Sequence, residues 1–314
     1  MKVLINDKLD DHHVSQIRSV GQDIELVIPG SSEEAIEAMP EIEVIFGGMS
    51  RDMFRRAERL KWVQTWGAGI DGILYPEFVN SEVILTSAKG TVGAHLSEHA
   101  FALLLGLTRG IAWAVSSKDW NERMPIRRAS WELIDQTMGI VGLGGTGLAV
   151  ALRAHAFGMK IIAVDPEDVE TPEYVSQCWK MDRFYDLLQA SDIVVVCCPL
   201  TEQTRGLFDA LAFERMQDHA LFINVTRGKI VDETALLNAL NVGAIAGAGL
   251  DVTPQEPLPE DHPLWHMDNV IVTPHTAGGS PNRQDRIVNL FCENLERIRR
   301  GDELLSVIDK VKGY

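Results

Sequence analysis

A glycine-rich turn between two short apolar segments constrains the fold of this chain most strongly. Gly142, Gly144 and Gly147 fit the pattern G-x-G-x-x-G after the apolar run MGIVGL, and the next apolar run, KIIAVD, ends at Asp165. In a strand–turn–helix unit, the first glycine permits the tight turn, the second admits a pyrophosphate, and the third lets the helix approach the strand. The helix N-terminus then offers unpaired N–H groups to phosphates. This pattern predicts a Rossmann domain that binds a dinucleotide.

The acid at the end of the second strand indicates which dinucleotide is bound. Asp165 can accept hydrogen bonds from the ribose hydroxyls, and its charge would repel a 2′-phosphate. Pro166 follows it, where an arginine could have neutralised such a phosphate. We therefore expect NAD rather than NADP as the cofactor. Gly145 and Thr146 complete the predicted turn, and we expect them to bind the cofactor as well.

The rest of the chain continues the alternation of strands and helices. One β/α series begins at Lys2 and a second at Thr137, so the sequence predicts an α/β protein with two doubly wound parallel-sheet domains. A length of 314 residues fits two domains. A long apolar helix is predicted from about Gly93 to beyond Trp113. The mixed polar segment 116–130 after it could be an exposed arm or a dimer contact.

Composition and net charge indicate which binding partners and which cellular compartment to expect. The chain carries 29 Lys and Arg against 45 Asp and Glu, a net charge of −16, which argues against nucleic acid and anionic membranes as partners. Its four cysteines form no CxxC pair, so we expect no structural metal site and a reduced, cytoplasmic chain. The longest uncharged apolar stretch, residues 100–107, is too short to span a bilayer.

Three charged side chains follow three later strands of the second series. Arg227, Glu256 and His275 should converge, because the carboxyl ends of parallel strands share one edge of a sheet. Arg227 could hold a carboxylate and polarise a carbonyl. His275 could exchange a proton with the carbonyl oxygen, while Glu256 orients the ring and favours its protonated form. Each residue alone could equally be a surface charge, a solvated acid or a capping histidine. Together they predict hydride transfer at a carbon that bears a carboxylate.

Several longer motifs make the chain similar to the D-isomer-specific 2-hydroxyacid dehydrogenase family. They occur in family order and span most of the chain: TWGAGIDGI (65–73), SEHAFALLL (97–105), GIVGLGGTG (139–147), NVTRGKIVDETAL (224–236), LDVTPQEPLP (250–259) and TPHTAGGS (273–280). The resemblance implies a flavodoxin-like substrate domain of residues 1–98 plus 281–314 and a Rossmann NAD-binding domain of residues 99–280. It also implies a homodimer with contacts around the long helix and the arm that follows it.

The resemblance implies roles for individual residues. Arg227, Glu256 and His275 would be the catalytic residues. The cofactor's nicotinamide would be contacted by Asp251, Val225, Thr226 and the loop His275–Gly278. Backbone N–H groups would bind the substrate carboxylate at Ala68, Gly69 and Ile70.

The sequence indicates the identity of the substrate less clearly than the type of reaction. Trp66 precedes the carboxylate-binding loop and could wall the pocket or lie in the core, and no second cation is evident beside it. We therefore expect a small 2-oxo acid or D-2-hydroxy acid, with glyoxylate or hydroxypyruvate favoured over 3-phosphoglycerate. An NAD-sensing, corepressor-like protein with little turnover is the alternative function, because such relatives can keep the same trio of residues.

Overall fold

The computed structural model describes residues 1–70 and 72–314, and the chain folds into two compact units. The first comprises Met1–Val92 and Ser280–Tyr314, and the second comprises Gly93–Gly279. The predicted boundary at residue 98 lies inside a helix that begins at Gly93, whereas the observed division lies at the start of that helix. The helix packs as one piece among elements of the second unit, so it is not divided.

The first unit is a five-stranded parallel sheet with the strand order β2-β1-β3-β4-β5, the order of flavodoxin-like domains. Elements are numbered along the whole chain. Its strands are β1 (Lys2–Asn6), β2 (Glu25–Val27), β3 (Val44–Gly47), β4 (Trp62–Gln64) and β5 (Ile84–Thr86). Its helices are α1 (Asp11–Ser19), α2 (Ser32–Ala38), α3 (Arg51–Arg56), α4 (Pro76–Val79) and α12 (Arg283–Arg300).

Helix α12 closes one face of this sheet although it comes from the far end of the chain. Its Phe291 stacks on Phe46 with ring centroids 4.4 Å apart and on Trp62 at 5.0 Å. The Trp62 indole also donates to the hydroxyl of Thr86 at 2.8 Å, so its polar atom is satisfied inside the core. This packing explains why the last helix belongs to the first unit.

The second unit is a seven-stranded parallel sheet with the strand order β12-β11-β10-β9-β6-β7-β8. The order reverses between β6 and β9, as in the Rossmann fold, and predicts a ligand at that crevice. Its strands are β6 (Thr137–Val141), β7 (Lys160–Val164), β8 (Gln177–Trp179), β9 (Ile193–Val196), β10 (Leu221–Asn224), β11 (Gly247–Leu250) and β12 (Val270–Val272). Its helices are α5 (Gly93–Thr108), α6 (Ile111–Ser117), α7 (Arg123–Ala129), α8 (Gly145–Ala156), α9 (Phe184–Ala190), α10 (Ala210–Arg215) and α11 (Glu233–Val242).

The two predicted sheets are confirmed, and the prediction of one continuous helix from Gly93 past Trp113 is wrong. Helix α5 ends at Thr108, and Gly110 adopts a φ of 61° before α6 begins, with a bend of 67° between the two helices. Glycine tolerates this left-handed conformation, which breaks the helix. Among the described residues, no single helix is long and apolar enough to cross a bilayer, and the bent pair α5 and α6 meets that criterion by length and composition only.

Candidate active site

The glycine turn after β6 has the geometry that the sequence predicts. Gly142 has a φ of 94°, which other residues rarely adopt. A Cβ on Gly147 would come within 3.0 Å of the Gly142 carbonyl oxygen, so only glycine lets α8 start this close to the strand. A Cβ on Gly144 would meet no atom of the described residues within 4 Å.

Helix α8 begins at Gly145 and continues through Thr146, with Gly144 as an N-cap that provides no side-chain acceptor. The first N–H groups of this twelve-residue helix therefore remain for an anion. The close glycine packing, the open space at Gly144 and the uncapped helix start together fit the pyrophosphate of a dinucleotide.

Asp165 lies directly after β7 and is 8 % exposed. Its Oδ2 accepts a hydrogen bond from the Leu143 N–H at 2.7 Å, and its Oδ1 accepts one from the Glu167 N–H at 2.9 Å. The carboxylate thus ties the glycine turn to the end of β7. A carboxylate offers about four acceptor sites, so these two bonds leave capacity for ribose hydroxyls. The predicted contact with the ribose stays a prediction.

The turn rests on the end of the neighbouring strand β9. A Cβ on Gly142 would come 2.7 Å from the backbone nitrogen of Cys198, so the two backbone segments are in close contact here. Burial raises the pKa of the Cys198 thiol to about 12. The thiol is therefore protonated at neutral pH and acts as a small apolar group in the core of this unit.

Arg227 is placed by the buried Asn224 at the end of β10. The Asn224 side chain donates to the Arg227 carbonyl at 3.0 Å and accepts from the N–H of Thr226 at 3.1 Å. The Arg227 guanidinium in turn donates to the Thr226 carbonyl at 2.8 Å. Asparagine often stabilises turns in this way. Val225 is buried and Thr226 half-buried in the same turn, where the resemblance puts the nicotinamide.

Gly228 brings the loop of Arg227 against the loop of Glu256. A Cβ on Gly228 would come within 3.0 Å of the carbonyl carbon and oxygen of Thr253 and of the Pro254 nitrogen. Only a residue without a side chain allows two backbones to approach this closely. Arg227 and Glu256 therefore lie on loops that touch each other.

Glu256 and His275 form a hydrogen-bonded pair. The Nδ1 of His275 lies 2.8 Å from the Oε2 of Glu256, while the Oε1 of Glu256 accepts from the Thr253 N–H at 3.1 Å. The His275 side chain is 48 % exposed and the Glu256 side chain 39 % exposed, so the pair is accessible to a ligand. With Nδ1 directed to the carboxylate, the Nε2 of the ring is the nitrogen left to exchange a proton. The predicted meeting of Glu256 and His275 is confirmed.

His275 itself has an unusual backbone conformation, with a φ of 53°. Its N–H donates to the carbonyl of Asp251 at 2.8 Å. The Asp251 carboxylate, 1 % exposed, accepts from the N–H of Thr276 at 2.8 Å and from that of Ala277 at 2.9 Å. These bonds hold a conformation that costs a non-glycine residue on the order of 1 kcal/mol. The predicted contact of Asp251 with the nicotinamide stays a prediction, and in the structure Asp251 fixes the histidine turn. Gly278 ends this turn with open space where a Cβ would stand.

The predicted carboxylate-binding loop lies in the first unit, after β4. The Gly67 carbonyl accepts from the Thr65 hydroxyl at 2.9 Å and from the Ala88 N–H at 3.1 Å. The N–H of a trans peptide points opposite to its carbonyl, so this anchoring turns the Ala68 N–H away from those donors. Ala68 is half-buried, Gly69 is exposed and Ile70 is buried. Ile70 anchors the end of the loop in the core.

The expectation that no second cation lies near this loop is wrong. Arg283, at the start of α12, donates to the Trp66 carbonyl at 3.3 Å, and its guanidinium lies 6.0 Å from the Trp66 ring centroid. Its Nε is buried and has no hydrogen-bond partner among the described residues. Trp66 is half-buried and packs edge-on against Phe46. The arginine is distant in sequence, so only the fold brings it to the loop.

Comparison with known proteins agrees with this geometry. The sequence model described as D-isomer specific 2-hydroxyacid dehydrogenase, NAD binding domain, matches residues 101–277. A glyoxylate reductase of Korarchaeum cryptofilum is 34 % identical over 87 % of this chain and 85 % of its own length. A D-3-phosphoglycerate dehydrogenase of Archaeoglobus fulgidus is 32 % identical over 96 % of this chain, which spans 58 % of that longer protein.

A solved structure is similar over its whole length. The NADPH-dependent glyoxylate/hydroxypyruvate reductase of Sinorhizobium meliloti, in complex with NADP and sulfate, has a TM-score of 0.82 and 28 % identity, covering 100 % of this chain and 99 % of the other. The motifs, the two sheets and the paired Glu256 and His275 lead to the same assignment. The chain belongs to the D-isomer specific 2-hydroxyacid dehydrogenase family, an oxidoreductase family with a Rossmann-type NAD-binding domain.

Proposed function

We propose that this chain is an NAD-dependent reductase of small 2-oxo acids, with glyoxylate or hydroxypyruvate as the favoured substrate. The product is the corresponding 2-hydroxy acid, with the D configuration where C2 is a stereocentre. The observation that carries the proposal is the 2.8 Å pair of His275 and Glu256 beside the loop of Arg227. A cation that can hold a carboxylate and a histidine that can donate a proton are the groups that reduction of a 2-oxo acid needs.

Arg227, His275 and Glu256 have different roles in this reaction. Arg227 binds the substrate carboxylate and stabilises the charge that develops on the carbonyl oxygen. His275 donates the Nε2 proton to that oxygen and takes it back in the reverse direction. Glu256 holds the ring through Nδ1 and stabilises its positive charge, and the Thr253 N–H fixes the carboxylate in place. The bound cofactor supplies the hydride to C2 of the substrate.

The end of β7 supports NAD rather than NADP. Asp165 is followed by Glu167 and Asp168, so the surroundings of a 2′-phosphate would be acidic. The cation nearby, Lys180, lies 2.7 Å from the Asp168 carboxylate and donates to the Pro166 carbonyl at 3.1 Å. A 2′-phosphate would have to compete with those partners. The solved relative of Sinorhizobium meliloti holds NADP, so the ratio of NADH to NADPH turnover is part of the test.

Arg283 supports a second substrate class. Its guanidinium beside the Trp66 carbonyl is a cation next to the carboxylate-binding loop, and a substrate with a second anionic group, such as 3-phosphoglycerate, would use it. Two relatives of different activity, a glyoxylate reductase and a D-3-phosphoglycerate dehydrogenase, match at similar identity. We favour the smaller substrate because the guanidinium is already engaged with the loop backbone and the Trp66 ring.

The experiment is NADH and NADPH oxidation with glyoxylate, hydroxypyruvate, pyruvate and branched 2-oxo acids, and NAD reduction with 3-phosphoglycerate. We expect NADH turnover on a small 2-oxo acid that His275→Ala loses by about 10²-fold or more. Preference for 3-phosphoglycerate would overturn the proposed substrate. Tight NADH binding without turnover on any of these acids would favour the NAD-sensing alternative.

We also propose that the chain forms a homodimer through α6 and the segment after it. Large apolar side chains are exposed there, at Trp113, Val115, Trp120 and Met124. Exposed apolar side chains in one segment are typical of a contact surface. Light scattering of wild-type protein and Trp120→Ala tests this: a wild-type monomer would contradict it.

A further inference from the structure

Helix α5 contacts the turn that holds His275 through a second histidine, His99, which has no role in the proposed reaction. The Nε2 of His99 lies 2.8 Å from the Thr273 hydroxyl and 3.2 Å from the Oδ1 of Asp251. The same Asp251 oxygen is 2.6 Å from the Thr273 hydroxyl. Asp251 is 1 % exposed and His99 20 %, so water competes little with these bonds.

Donor and acceptor counting fixes the direction of the bonds. A carboxylate only accepts, so the single hydroxyl proton of Thr273 is directed to Asp251. The Thr273 oxygen is then free to accept, and the Nε2 of His99 has to carry the proton that it donates. His99 is therefore protonated on Nε2, whichever form its other nitrogen takes.

The two residues that His99 holds are the ones that fix the catalytic histidine. Asp251 accepts the N–H groups of Thr276 and Ala277, and its carbonyl accepts the N–H of His275. Thr273 also precedes the turn, and its carbonyl lies 2.9 Å from the His275 nitrogen. A shift of the Asp251 carboxylate would thus move both sides of His275.

We infer that His99 is a positioning residue: its Nε2–H holds the Thr273 hydroxyl and the Asp251 carboxylate in the arrangement that fixes the backbone of His275. The inference rests on the proposed role of His275 in proton transfer. A purely structural role, in which His99 only fastens α5 to the sheet, is the competing explanation.

Amide hydrogen exchange in the protein without cofactor tests the positioning directly. His99→Leu removes the donor, and we expect the Thr276 and Ala277 amides to exchange about tenfold faster, because their acceptor is no longer fixed. His99→Gln, whose amide can place a donor near the same point, should restore most of the protection. Ser97→Ala is the control on the same helix, because among the described residues the Ser97 hydroxyl donates only to the helix carbonyls of Gly93 and Ala94.

Kinetics then distinguish positioning from fastening. For His99→Leu we expect kcat and kcat/KM for the 2-oxo acid to fall together by about tenfold, which corresponds to about 1.4 kcal/mol of transition-state stabilisation. The Kd for NADH should change by less than about twofold, and His99→Gln should recover to within about threefold of wild type. If His99→Leu does not fold, Thr273→Val and Thr273→Ser form the equivalent pair.

Three results would overturn the inference. The first is unchanged amide exchange at Thr276 and Ala277 in His99→Leu. The second is a loss of kcat that is the same in His99→Leu and His99→Gln. The third is a fall in kcat that is accompanied by a similar fall in NADH affinity and by a lower Tm. A wild-type protein that reduces none of the acids would refute the proposed function, while the exchange comparison would still decide whether His99 holds the turn.

Discussion

Gly228→Ala probes the contact that brings the catalytic loops together. The new Cβ would come within 3.0 Å of three backbone atoms of Thr253 and Pro254, whereas ordinary carbon contacts lie at about 3.5–4.0 Å. The obstructing atoms are backbone, so the two loops have to separate by on the order of 1 Å. A displacement of that size at an active site costs about 10²-fold in rate. We therefore expect kcat/KM to fall by about 10²-fold.

The same substitution should also lower stability, because overpacking a close contact costs about 1–3 kcal/mol. In a unit of this size Tm falls by about 3 °C for each kcal/mol. The assay is kcat/KM for the preferred 2-oxo acid together with Tm from a thermal scan. Gly30→Ala is the matched control, because Gly30 is exposed and the nearest atoms to its Cβ would be those of the flexible Glu34 carboxylate, at 3.3 Å or more.

A Gly228→Ala protein with kcat/KM within about threefold of wild type and an unchanged Tm would contradict this expectation. It would mean that the loops of Arg227 and Glu256 do not meet at Gly228. A fall in Tm without a fall in kcat/KM would place the contact in the core of the fold rather than in the catalytic arrangement.

Three further substitutions test other parts of the structure. Gly147→Ala would push α8 away from the turn, so the Kd for NADH should rise by about tenfold or more; an unchanged Kd would contradict the packing of the turn. Asp165→Ala should weaken NADH binding and raise the ratio of NADPH to NADH turnover, and an unchanged ratio would leave the acid without the proposed role in selectivity. A hydrogen bond to Asp192 raises the pKa of His219 above 6.5, so that pair stabilises the fold below pH 6.5 and the stabilisation is lost as the pH rises through the raised value. His219→Gln should remove this part of the pH dependence of Tm, and an identical pH dependence in wild type and variant would refute it.

The sequence contained enough information to predict the two sheets and the Glu256 and His275 pair. Parallel strands that are covered on both faces appear as short apolar runs, and IVVV in β9 is buried throughout. The end of a parallel strand is also a defined position in space, so residues at the ends of β10, β11 and β12 could be expected to converge. Glycines 142 and 147 were predictable because their turn requires a residue without a Cβ.

What the sequence did not show depends on contacts between distant segments. His99 belongs to an apolar helix, and its contact with Thr273 requires the packing of α5 against the sheet. Gly228 gave no local signal because its neighbour, Thr253, lies on another loop. Arg283 reaches Trp66 only because α12 returns to the first unit.

Errors in local structure have local causes. The break between α5 and α6 was missed because a single glycine within an apolar helical pattern is compatible with an uninterrupted helix. No strand was predicted at β8, Gln177–Trp179, because its three residues do not alternate between apolar and polar.

We propose that this chain transfers hydride between a nicotinamide cofactor and C2 of a small 2-oxo acid. The most direct measurement is reduction of hydroxypyruvate with NADH deuterated at the transferable position of the nicotinamide, followed by mass spectrometry and chiral analysis of the product. We expect wild type to form D-glycerate with one deuterium at C2, and His275→Ala to form almost no product. A product without deuterium at C2, or with the L configuration, would contradict it.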